Sequence, residues 1–216
     1  MNRKIRIGNH IIGEDAPVFI VAEMSANHNM DFDRAVAIMQ AAKDAGADAI
    51  KIQTYTADTI TLDSDAPCFQ ITQGTLWDGT TLYELYKTAY TPWEWQPKLK
   101  EIAQGMGLEF FSSPFDFSSV DFLEEMDVPA YKVASFEITD IPLIKKIAGK
   151  KKPMIMATGV ARLSDIELAM GACREAGNED VILLKCTSAY PTPYEDVNLR
   201  TIPSMGDTFD CLTGLS

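Results

Sequence analysis

The strongest constraint on the fold is a regular alternation of short apolar runs with segments of helical periodicity. Each run is apolar throughout, which is typical of strands buried on both faces of a sheet. Between the runs, apolar residues recur at helical spacing, as at Ala35, Ile38 and Ala42 before the stop at Gly46. Such alternation predicts βαβ units and a parallel sheet. The predicted strands are residues 17–22, 49–53, 109–112, 130–134, 153–157, 181–185 and 209–214.

The number of strands and the chain length favour an α/β fold of the TIM (β/α)8 barrel type. The chain has 216 residues, fewer than the roughly 250 of a typical barrel, and we expect a barrel truncated after about seven strands. Residues 4–12 alternate around Gly8 and Asn9 and predict an N-terminal β-hairpin. No linker divides residues 1–216, so a single, incomplete barrel domain is expected. Nucleotide-binding signatures are absent from the sequence, although periodicity alone leaves a doubly wound sheet open.

The charge and the cysteines limit the classes of partner and the compartment. The net charge is -12, which argues against nucleic acid and anionic membranes as partners. A small anion is still allowed, because a basic pocket can lie in an acidic protein. The four cysteines have no paired spacing and indicate free thiols in a reducing compartment. The sequence shows no signal peptide and no membrane span, so we expect a cytoplasmic protein.

Two local patterns concern a long connection and a helix start. Residues 57–91 form a longer connection than βα loops usually are, and they are rich in aromatic residues. The rings predict either a lid that stacks on a sugar or a small satellite core, with Tyr83 and Tyr86 at core spacing. Further along the chain, Ser164 and Glu167 predict a capping box at the start of a helix.

Three predicted strands carry a lysine at or near their C-terminal ends, with hydroxyl residues just after it. The lysines are Lys51, Lys132 and Lys185. Lysine is rarely buried without a partner, and alternate strands of a barrel contribute side chains to one layer. We therefore expect three ammonium groups directed at one place, where they bind an anion. Further donors for a phosphate or carboxylate follow the strands: Ser112, Ser113, Ser135, Thr158, Thr187 and Ser188.

An acidic residue ends the first predicted strand. Glu23 is expected to act as an acid/base group or to pair with the lysines. Glu137 and Asp140 follow another strand and are weaker acid candidates. The chain has only two histidines, His10 and His28. Two scattered histidines do not form a His-based site, so the visible chain predicts no metal centre of its own.

Several of these segments together resemble the sialic acid synthase family. They occur in order over nearly the whole chain: AEMSANH at 22–28, GADAIKIQTY at 46–55, FFSSPFD at 110–116, AYKVASFE at 130–137, MATG at 156–159 and LLKCTSAYPTPYED at 183–196. Within the family, the pseudaminic acid synthase group is the nearer match. That match rests on the aromatic segment at 74–95, on SAN at 25–27 and on Lys185, where N-acetylneuraminate synthases tend to carry His.

The resemblance implies roles for individual residues. Glu23 resembles the catalytic glutamate, and Lys51 and Lys132 are implied to act with it in catalysis. Both lysines and Ser135 resemble residues that bind phosphoenolpyruvate, and Ser188 stands where the family usually has Asn. The implied substrate-binding residues are Gln53, Tyr55, Ser113, Ser135, Lys185, Thr187, Ser188, Tyr190 and Ser216.

The resemblance also implies an activity. Members of the family condense phosphoenolpyruvate with an amino sugar, and the nearer match implies a 2,4-diacetamido-2,4,6-trideoxy hexose, pseudaminic acid as the nonulosonate product, and phosphate release. A divalent metal, Mn²⁺ or Mg²⁺, assists the family's reaction. Its His ligands are expected beyond residue 216, with an eighth strand and a C-terminal antifreeze-like domain. A homodimer is implied for the full-length protein, and the truncated chain is expected to be inactive alone.

Other functions compatible with these residues come from different classes. The sugar could be that of an N-acetylneuraminate or legionaminate synthase. A lysine on a barrel strand can also form an imine, which is the chemistry of a Schiff-base aldolase. A non-catalytic fragment or binding module is the alternative outside enzymes.

Overall fold

The structure, a computed structural model, describes residues 3–13, 15–72, 74, 77–189 and 191–216. Contacts within the chain divide it into two compact units. The hairpin unit comprises Met1–Phe19 and Leu123–Ser216, and the central unit comprises Ile20–Phe122. Each unit has its own set of parallel strands.

Strands and helices alternate along the chain, as the sequence predicts. The strands are β1 (Ile5–Ile7), β2 (His10–Ile12), β3 (Val21–Glu23), β4 (Ala49–Thr54), β5 (Glu109–Pro114), β6 (Tyr131–Val133), β7 (Met154–Ala157), β8 (Val181–Lys185) and β9 (Leu212–Leu215). The helices are α1 (Phe32–Asp44), α2 (Ala57–Ile60), α3 (Leu82–Tyr86), α4 (Gln96–Gly105), α5 (Phe117–Glu125), α6 (Ile141–Ala148), α7 (Leu163–Glu175) and α8 (Thr201–Phe209). Among the residues described, no helix is both long enough and apolar enough to cross a membrane.

The predicted N-terminal hairpin is confirmed. β1 and β2 pair antiparallel, with Ile5 opposite Ile12 and Ile7 opposite His10. Gly8 has a φ of 54° in the turn, a conformation that glycine adopts without strain. Ile5 and Ile7 are buried, whereas Arg6 between them is exposed, so one face of the hairpin is held against the protein.

In the central unit, β3, β4 and β5 are parallel neighbours in chain order. Side chains alternate between the two faces of each strand. One face carries Ile50, Ile52 and Phe110, which are at most 1% exposed. On that face, Thr54 Oγ1 donates to Gln96 Oε1 of α4 at 2.8 Å, so the apolar face packs against this helix.

In the hairpin unit, β6, β7, β8 and β9 are parallel and again follow chain order. Met154 of β7 is fully buried and contacts Cys173 of α7, with 3.8 Å between the two sulfur atoms. Met156 and Leu183 share its face and are also 0% exposed. This face therefore packs against helices. All four cysteines of the chain are free thiols.

Two strands, β3 and β9, begin three or more residues later than the sequence predicts. Residues 17–20 lie before β3. Val18 is 82% exposed, and the N–H of Ile20 donates to the Asp48 carboxylate at 2.8 Å. At the other end, Phe209 ends α8, and Asp210 caps that helix with a left-handed φ of 49°. β9 begins only after this cap. In both places an apolar run continues across an element boundary, so its composition does not locate the boundary.

The long connection at 57–91 contains two short helices, α2 and α3, rather than being irregular throughout. Tyr83 and Tyr86 of α3 are half-buried and not fully in a core. The Tyr83 hydroxyl donates to Asp58 at 2.7 Å, and the Tyr86 ring contacts Tyr55 edge-on. These contacts favour the satellite core over a sugar-stacking lid for these two tyrosines.

The start of α7 differs from the predicted capping box. The N–H of Arg162 donates to Asp165 Oδ2 at 2.8 Å, which satisfies the donor just before the helix. Ser164 and Glu167 lie inside the helix and are exposed. The prediction for this pair is wrong, because the residue that precedes the helix is Arg162, two residues before Ser164.

The contact at the start of α7 predicts a difference between two variants. Asp165→Ala removes the acceptor for the Arg162 N–H and a favourable charge, and is expected to lower the free energy of unfolding by about 0.5–1 kcal/mol. The control Ser164→Ala should change it by less than about 0.5 kcal/mol. Urea unfolding measures both. If Ser164→Ala lowered the free energy of unfolding more than Asp165→Ala does, the result would support the predicted capping box of Ser164 and Glu167.

Candidate functional site

Four of the predicted site residues lie on one face of the strands in the central unit. Paired residues of parallel strands share a face. Glu23 pairs with Lys51. Gln53, two residues along β4 from Lys51, pairs with Ser113. Glu23 Oε2 forms an ion pair with Lys51 Nζ. The structure therefore brings the predicted catalytic carboxylate together with one of the predicted catalytic lysines.

Ser113 supplies a buried hydroxyl to this face. It is 1% exposed, and its Oγ has no hydrogen-bond partner within the described part of the chain. A buried hydroxyl without a partner is unfavourable, so Ser113 is suited to bind a polar ligand. Ser112 lies on the opposite face and contacts Thr54 Oγ1 at 2.6 Å and Ile52 O at 3.1 Å. Its predicted role as a ligand donor is wrong, because its hydroxyl joins two strands.

Ser25 joins two members of this face and was not among the predicted site residues. Its N–H donates to Glu23 Oε1 at 3.0 Å, and its Oγ donates to Gln53 Oε1 at 3.0 Å. Its φ of 49° is unusual for a residue other than glycine. The sequence does not indicate this left-handed conformation, because the residue type of Ser25 gives no sign of it. The position of Ser25 in a short turn after a strand is the available signal.

Tyr55 is buried under the long connection. It is 3% exposed, and its hydroxyl donates to the carbonyl of Ala89. Its ring contacts Tyr86 and Phe115 edge-on, with 5.4 Å between centroids in each case. Burial raises its pKa, so the phenol is neutral. These contacts show that Tyr55 anchors the long connection, while its sugar contact stays a prediction.

Lys132 is a buried cation in the hairpin unit. It is 6% exposed, and its Nζ donates to Val133 O at 3.0 Å. Loss of hydration lowers its pKa to about 8, while nearby Cys186 and Glu137 act in the opposite direction. With this pKa, the Lys132 side chain is still mainly protonated at neutral pH. An incompletely paired buried ammonium is a favourable partner for an anion.

Two predicted hydroxyls meet at Gly159 in the hairpin unit. The N–H of Gly159 donates to Ser135 Oγ at 3.2 Å. A Cβ atom at this glycine would lie 2.9 Å from Ser135 Oγ and 2.5 Å from Ser188 Oγ. It would also lie 3.1 Å from Cys186 Cβ. The absence of a side chain at Gly159 therefore allows Ser135 and Ser188 to place their hydroxyl groups against this glycine.

Lys185 lies on the face opposite Lys132. Lys132 pairs with Ile155, which pairs with Ile182, and Lys185 is three residues beyond Ile182 on β8. An odd offset places a side chain on the other face. Lys185 also lines a cavity of about 320 Å³ with residues of α7 and α8, including Ile166. The expectation that these two ammonium groups point to one place is wrong, since strand register separates them.

The loop after β8 uses Lys185 and Thr187 for its own structure. Lys185 Nζ donates to Cys186 O at 2.8 Å and to Thr187 Oγ1 at 2.7 Å. Thr187 Oγ1 in turn donates to Asp196 O at 3.2 Å. These bonds hold the loop in place, while ligand contacts of both side chains stay predictions. Thr158, another predicted donor, bonds to Leu184 O at 2.9 Å and is likewise structural.

The remaining predicted residues have different outcomes. The N–H of Ser216 donates to Lys185 O at 2.9 Å, while its ligand contact stays a prediction. Tyr190 lies outside the described residues. Asp140 caps α6 by accepting from the N–H of Leu143 at 3.0 Å. Glu137 is half-buried, its Oε2 has no partner among the residues described, and burial raises its pKa. Glu137 is therefore the stronger of the two acid candidates.

The described residues do not fit the divalent metal that the resemblance implies. Among them, no group of three or more His, Cys, Asp and Glu could hold an ion. His28 is buried, with its Nε2 3.1 Å from Thr91 Oγ1 and its Nδ1 accepting from the N–H of Met30 at 3.2 Å. Burial lowers its pKa, which keeps the ring neutral. Both ring nitrogens are occupied, so His28 is structural.

Known proteins are similar to this chain in sequence and in fold. The NeuB family profile matches residues 38–216. A pseudaminic acid synthase from Campylobacter jejuni is 48% identical over 98% of this chain and 61% of its own length. An N,N'-diacetyllegionaminic acid synthase from Legionella pneumophila is 36% identical over 100% of this chain, which again spans 61% of the relative. The chain thus spans about three fifths of these curated relatives.

A solved structure gives the same fold over the whole chain. The crystal structure of an N-acetylneuraminic acid synthetase from Leptospira borgpetersenii, in complex with citrate, matches with a TM-score of 0.87 at 31% identity. The match covers 100% of this chain and 70% of the other. The predicted α/β fold of the TIM-barrel type, with its N-terminal hairpin, is thereby confirmed.

The buried ammonium of Lys132 predicts how stability depends on pH. Its pKa is 10.5 ordinarily and about 8 in the folded protein, so between these values the unfolded state binds more protons. The free energy of unfolding should therefore rise with pH across this interval, by roughly 2–3 kcal/mol from this group. Lys132→Met removes the titration. Subtracting the variant's unfolding free energy from the wild type's at each pH measures the effect, and a flat difference would contradict it.

The approach of two hydroxyls at Gly159 predicts a cost for any side chain there. Gly159→Ala should lower the free energy of unfolding by roughly 1–3 kcal/mol, because the methyl group displaces Ser135 and Ser188. Gly171 is the matched control, since it lies in α7 with nothing within 4 Å of an added Cβ. Gly171→Ala should stabilise the helix by about 0.5–1 kcal/mol. Equal effects in thermal or urea unfolding would refute the crowding at Gly159.

Proposed function

The chain belongs to the NeuB family, and we propose that its protein condenses phosphoenolpyruvate with an amino sugar to form a nonulosonic acid and release phosphate. The finer part of the proposal is the sugar, a 2,4-diacetamido-2,4,6-trideoxy hexose, which makes the product pseudaminic acid. The observation that carries this choice is the identity of 48% with a pseudaminic acid synthase, against 36% with a legionaminic acid synthase. Legionaminate or N-acetylneuraminate synthesis is the alternative within the family.

The residues of the central unit support the carbon–carbon bond step. In the proposed reaction, C3 of phosphoenolpyruvate attacks the open-chain aldehyde, and the aldehyde oxygen takes up a proton to become a hydroxyl. Positive charge then develops at C2, and a water molecule adds there. Lys51 and the Ser25 N–H hold the carboxylate of Glu23. In the proposed reaction this carboxylate orients or deprotonates the water.

The hairpin unit supports the binding of the anion. Lys132 offers a buried positive charge, and Ser135 and Ser188 offer hydroxyls at Gly159. Once water has added to C2 as a hydroxyl, the bond between C2 and the bridging oxygen breaks, the hydroxyl proton passes to the departing phosphate, and the ketone of the product forms. A fixed cation stabilises the negative charge that develops on the leaving phosphate. No step is assigned to a metal, because the described residues do not fit one.

Further parts of the proposal concern the whole protein. A divalent metal bound by residues outside the described part of the chain remains proposed for the reaction, as does a homodimer. We also propose a cytoplasmic location, because phosphoenolpyruvate is an intracellular metabolite. Nucleic acid is not among the proposed partners, because the charge of -12 is unfavourable for it.

One observation favours a second candidate, a Schiff-base aldolase. The lowered pKa of Lys132, about 8, makes its amine more available as a nucleophile at neutral pH than an ordinary lysine. An imine with pyruvate would be trapped by borohydride as a stable adduct on Lys132. Mass spectrometry of the treated protein that finds no adduct excludes this candidate.

The proposed substrate is tested by supplying single sugars. Protein of the full length that its gene encodes is incubated with phosphoenolpyruvate, Mn²⁺ and one sugar at a time, and phosphate release is recorded. We expect the 2,4-diacetamido-2,4,6-trideoxy hexose of pseudaminate synthesis to give a kcat/KM at least roughly tenfold above that of N-acetylmannosamine. Faster turnover of N-acetylmannosamine or of the legionaminate precursor would assign the enzyme to another branch of the family.

The proposed anion site is tested on the same protein by calorimetry. Lys132→Met should weaken phosphoenolpyruvate binding by roughly 100-fold or more, because a buried charge partner is lost. The control is Lys98→Met, which removes an exposed lysine paired with Glu101 and should change the affinity by less than about twofold. Unchanged affinity in Lys132→Met would remove this lysine from the site.

A further inference from the structure

Ser25 has a backbone conformation that serine rarely adopts. Its φ is 49°, in the left-handed region, and Asn29 and Met30 in the same turn have φ values of 53° and 57°. For a residue with a Cβ atom this conformation is unfavourable by roughly 1 kcal/mol. Such a conformation persists where the surrounding contacts hold it. At Ser25 these contacts are with two residues of the proposed site.

The contacts of Ser25 occupy particular atoms of its neighbours. Its N–H donates to Glu23 Oε1, while Glu23 Oε2 pairs with Lys51, so both carboxylate oxygens are engaged. Its Oγ donates to Gln53 Oε1 at 3.0 Å. The carbonyl end of the Gln53 amide is thereby turned toward Ser25. An amide has its two donors on the opposite atom, Nε2.

The orientation of Gln53 determines what it can bind. Gln53 is half-buried and shares a face with Glu23, Lys51 and Ser113. With Oε1 engaged by Ser25, the amide offers N–H donors to this face. Its partner in a substrate must then be an acceptor, such as the carbonyl oxygen of an acetamido group or a hydroxyl oxygen.

We propose that Ser25 is a positioning residue that turns the Gln53 amide so that Nε2 donates to an acceptor oxygen of the amino sugar. The inference rests on the proposed function, because it takes the amino sugar as the ligand of this face. It assigns a different task to each half of Ser25. The backbone N–H holds the carboxylate of Glu23, and the hydroxyl sets the direction of Gln53.

Removing the hydroxyl alone separates the two tasks. Ser25→Ala keeps the backbone N–H and loses Oγ. We expect the KM for the sugar to rise roughly three- to tenfold, as for the loss of one hydrogen bond, because the amide is free to rotate. The KM for phosphoenolpyruvate and the pH profile of kcat should stay unchanged, because Glu23 keeps its contacts. An unchanged sugar KM, or a shift of both KM values together, would overturn the proposal.

Two glycine variants separate the hydroxyl from the backbone strain. Ser25→Gly removes the hydroxyl and also relieves the left-handed strain, and it should raise the sugar KM as Ser25→Ala does. Met30→Gly relieves strain in the same turn without touching Glu23 or Gln53, and it should leave both KM values unchanged. If Met30→Gly raised the sugar KM as much as Ser25→Gly, the effect would come from the flexibility of the turn.

The direction of the amide is tested by exchanging its donors. Gln53→Glu keeps an oxygen that can accept from Ser25 and removes the N–H donors. The KM for the sugar should rise at least as much as in Ser25→Ala. In the double variant, which combines Ser25→Ala with Gln53→Glu, the KM for the sugar should be no higher than in Gln53→Glu alone. A fully additive double variant would show that Ser25 does not act through Gln53.

Thermal unfolding of the same variants distinguishes this inference from the proposed function. If the wild type condenses no amino sugar, the proposed function fails, whatever the stability data show. The hydrogen bond between Ser25 Oγ and Gln53 Oε1 is then tested separately in a Gln53→Ala background. Ser25→Ala should lower the melting temperature when Gln53 is present but not when Gln53 is replaced by Ala. Equal decreases in both backgrounds would contradict the contact and, with it, the positioning role.

Discussion

The free energy needed to dehydrate the ammonium group of Lys132 is the constraint on which the proposed anion site of the hairpin unit depends. A lysine on a buried strand is unfavourable unless a partner compensates for lost hydration. Within the described part of the chain, Lys132 Nζ donates to Val133 O at 3.0 Å. This compensation is partial, because burial still lowers the pKa of Lys132 to about 8. A fully paired lysine would have no capacity left for an anion. The incomplete pairing thus weakens the folded state and leaves a positive charge available to a ligand.

Alternation along parallel strands separates the ligand-facing residues from the structural ones. On β4, Lys51 and Gln53 face the polar side, while Ile52 and Thr54 between and beyond them face α4. On β8, Lys185 points away from the face that Lys132 occupies on its own strand. A lysine of the same strand-end motif therefore has one of two tasks. It contributes charge to a site, or it ties down the loop that follows.

The order of strands and helices could be predicted from the sequence, because seven apolar runs and the helical periodicity between them leave few alternatives. The pairing of Glu23 with Lys51 was also foreseeable, since Glu23 ends one strand and Lys51 lies within the neighbouring strand. The tasks of Lys185 and Tyr55 were not, because a motif does not fix which face a side chain takes. The proposed role of Ser25 could not be predicted either, because it depends on a left-handed backbone conformation that the residue type does not indicate.

We propose that Lys132, when protonated, holds the phosphoenolpyruvate anion in this member of the NeuB family. The measurement that tests it most directly is the dissociation constant of phosphoenolpyruvate as a function of pH, for the wild type and for Lys132→Met. Above pH 8 the wild-type constant should rise about tenfold per pH unit, because the ammonium loses its proton, while the variant should bind weakly throughout. A wild-type affinity that stays constant to pH 10, or that matches the variant's pH dependence, would contradict the claim.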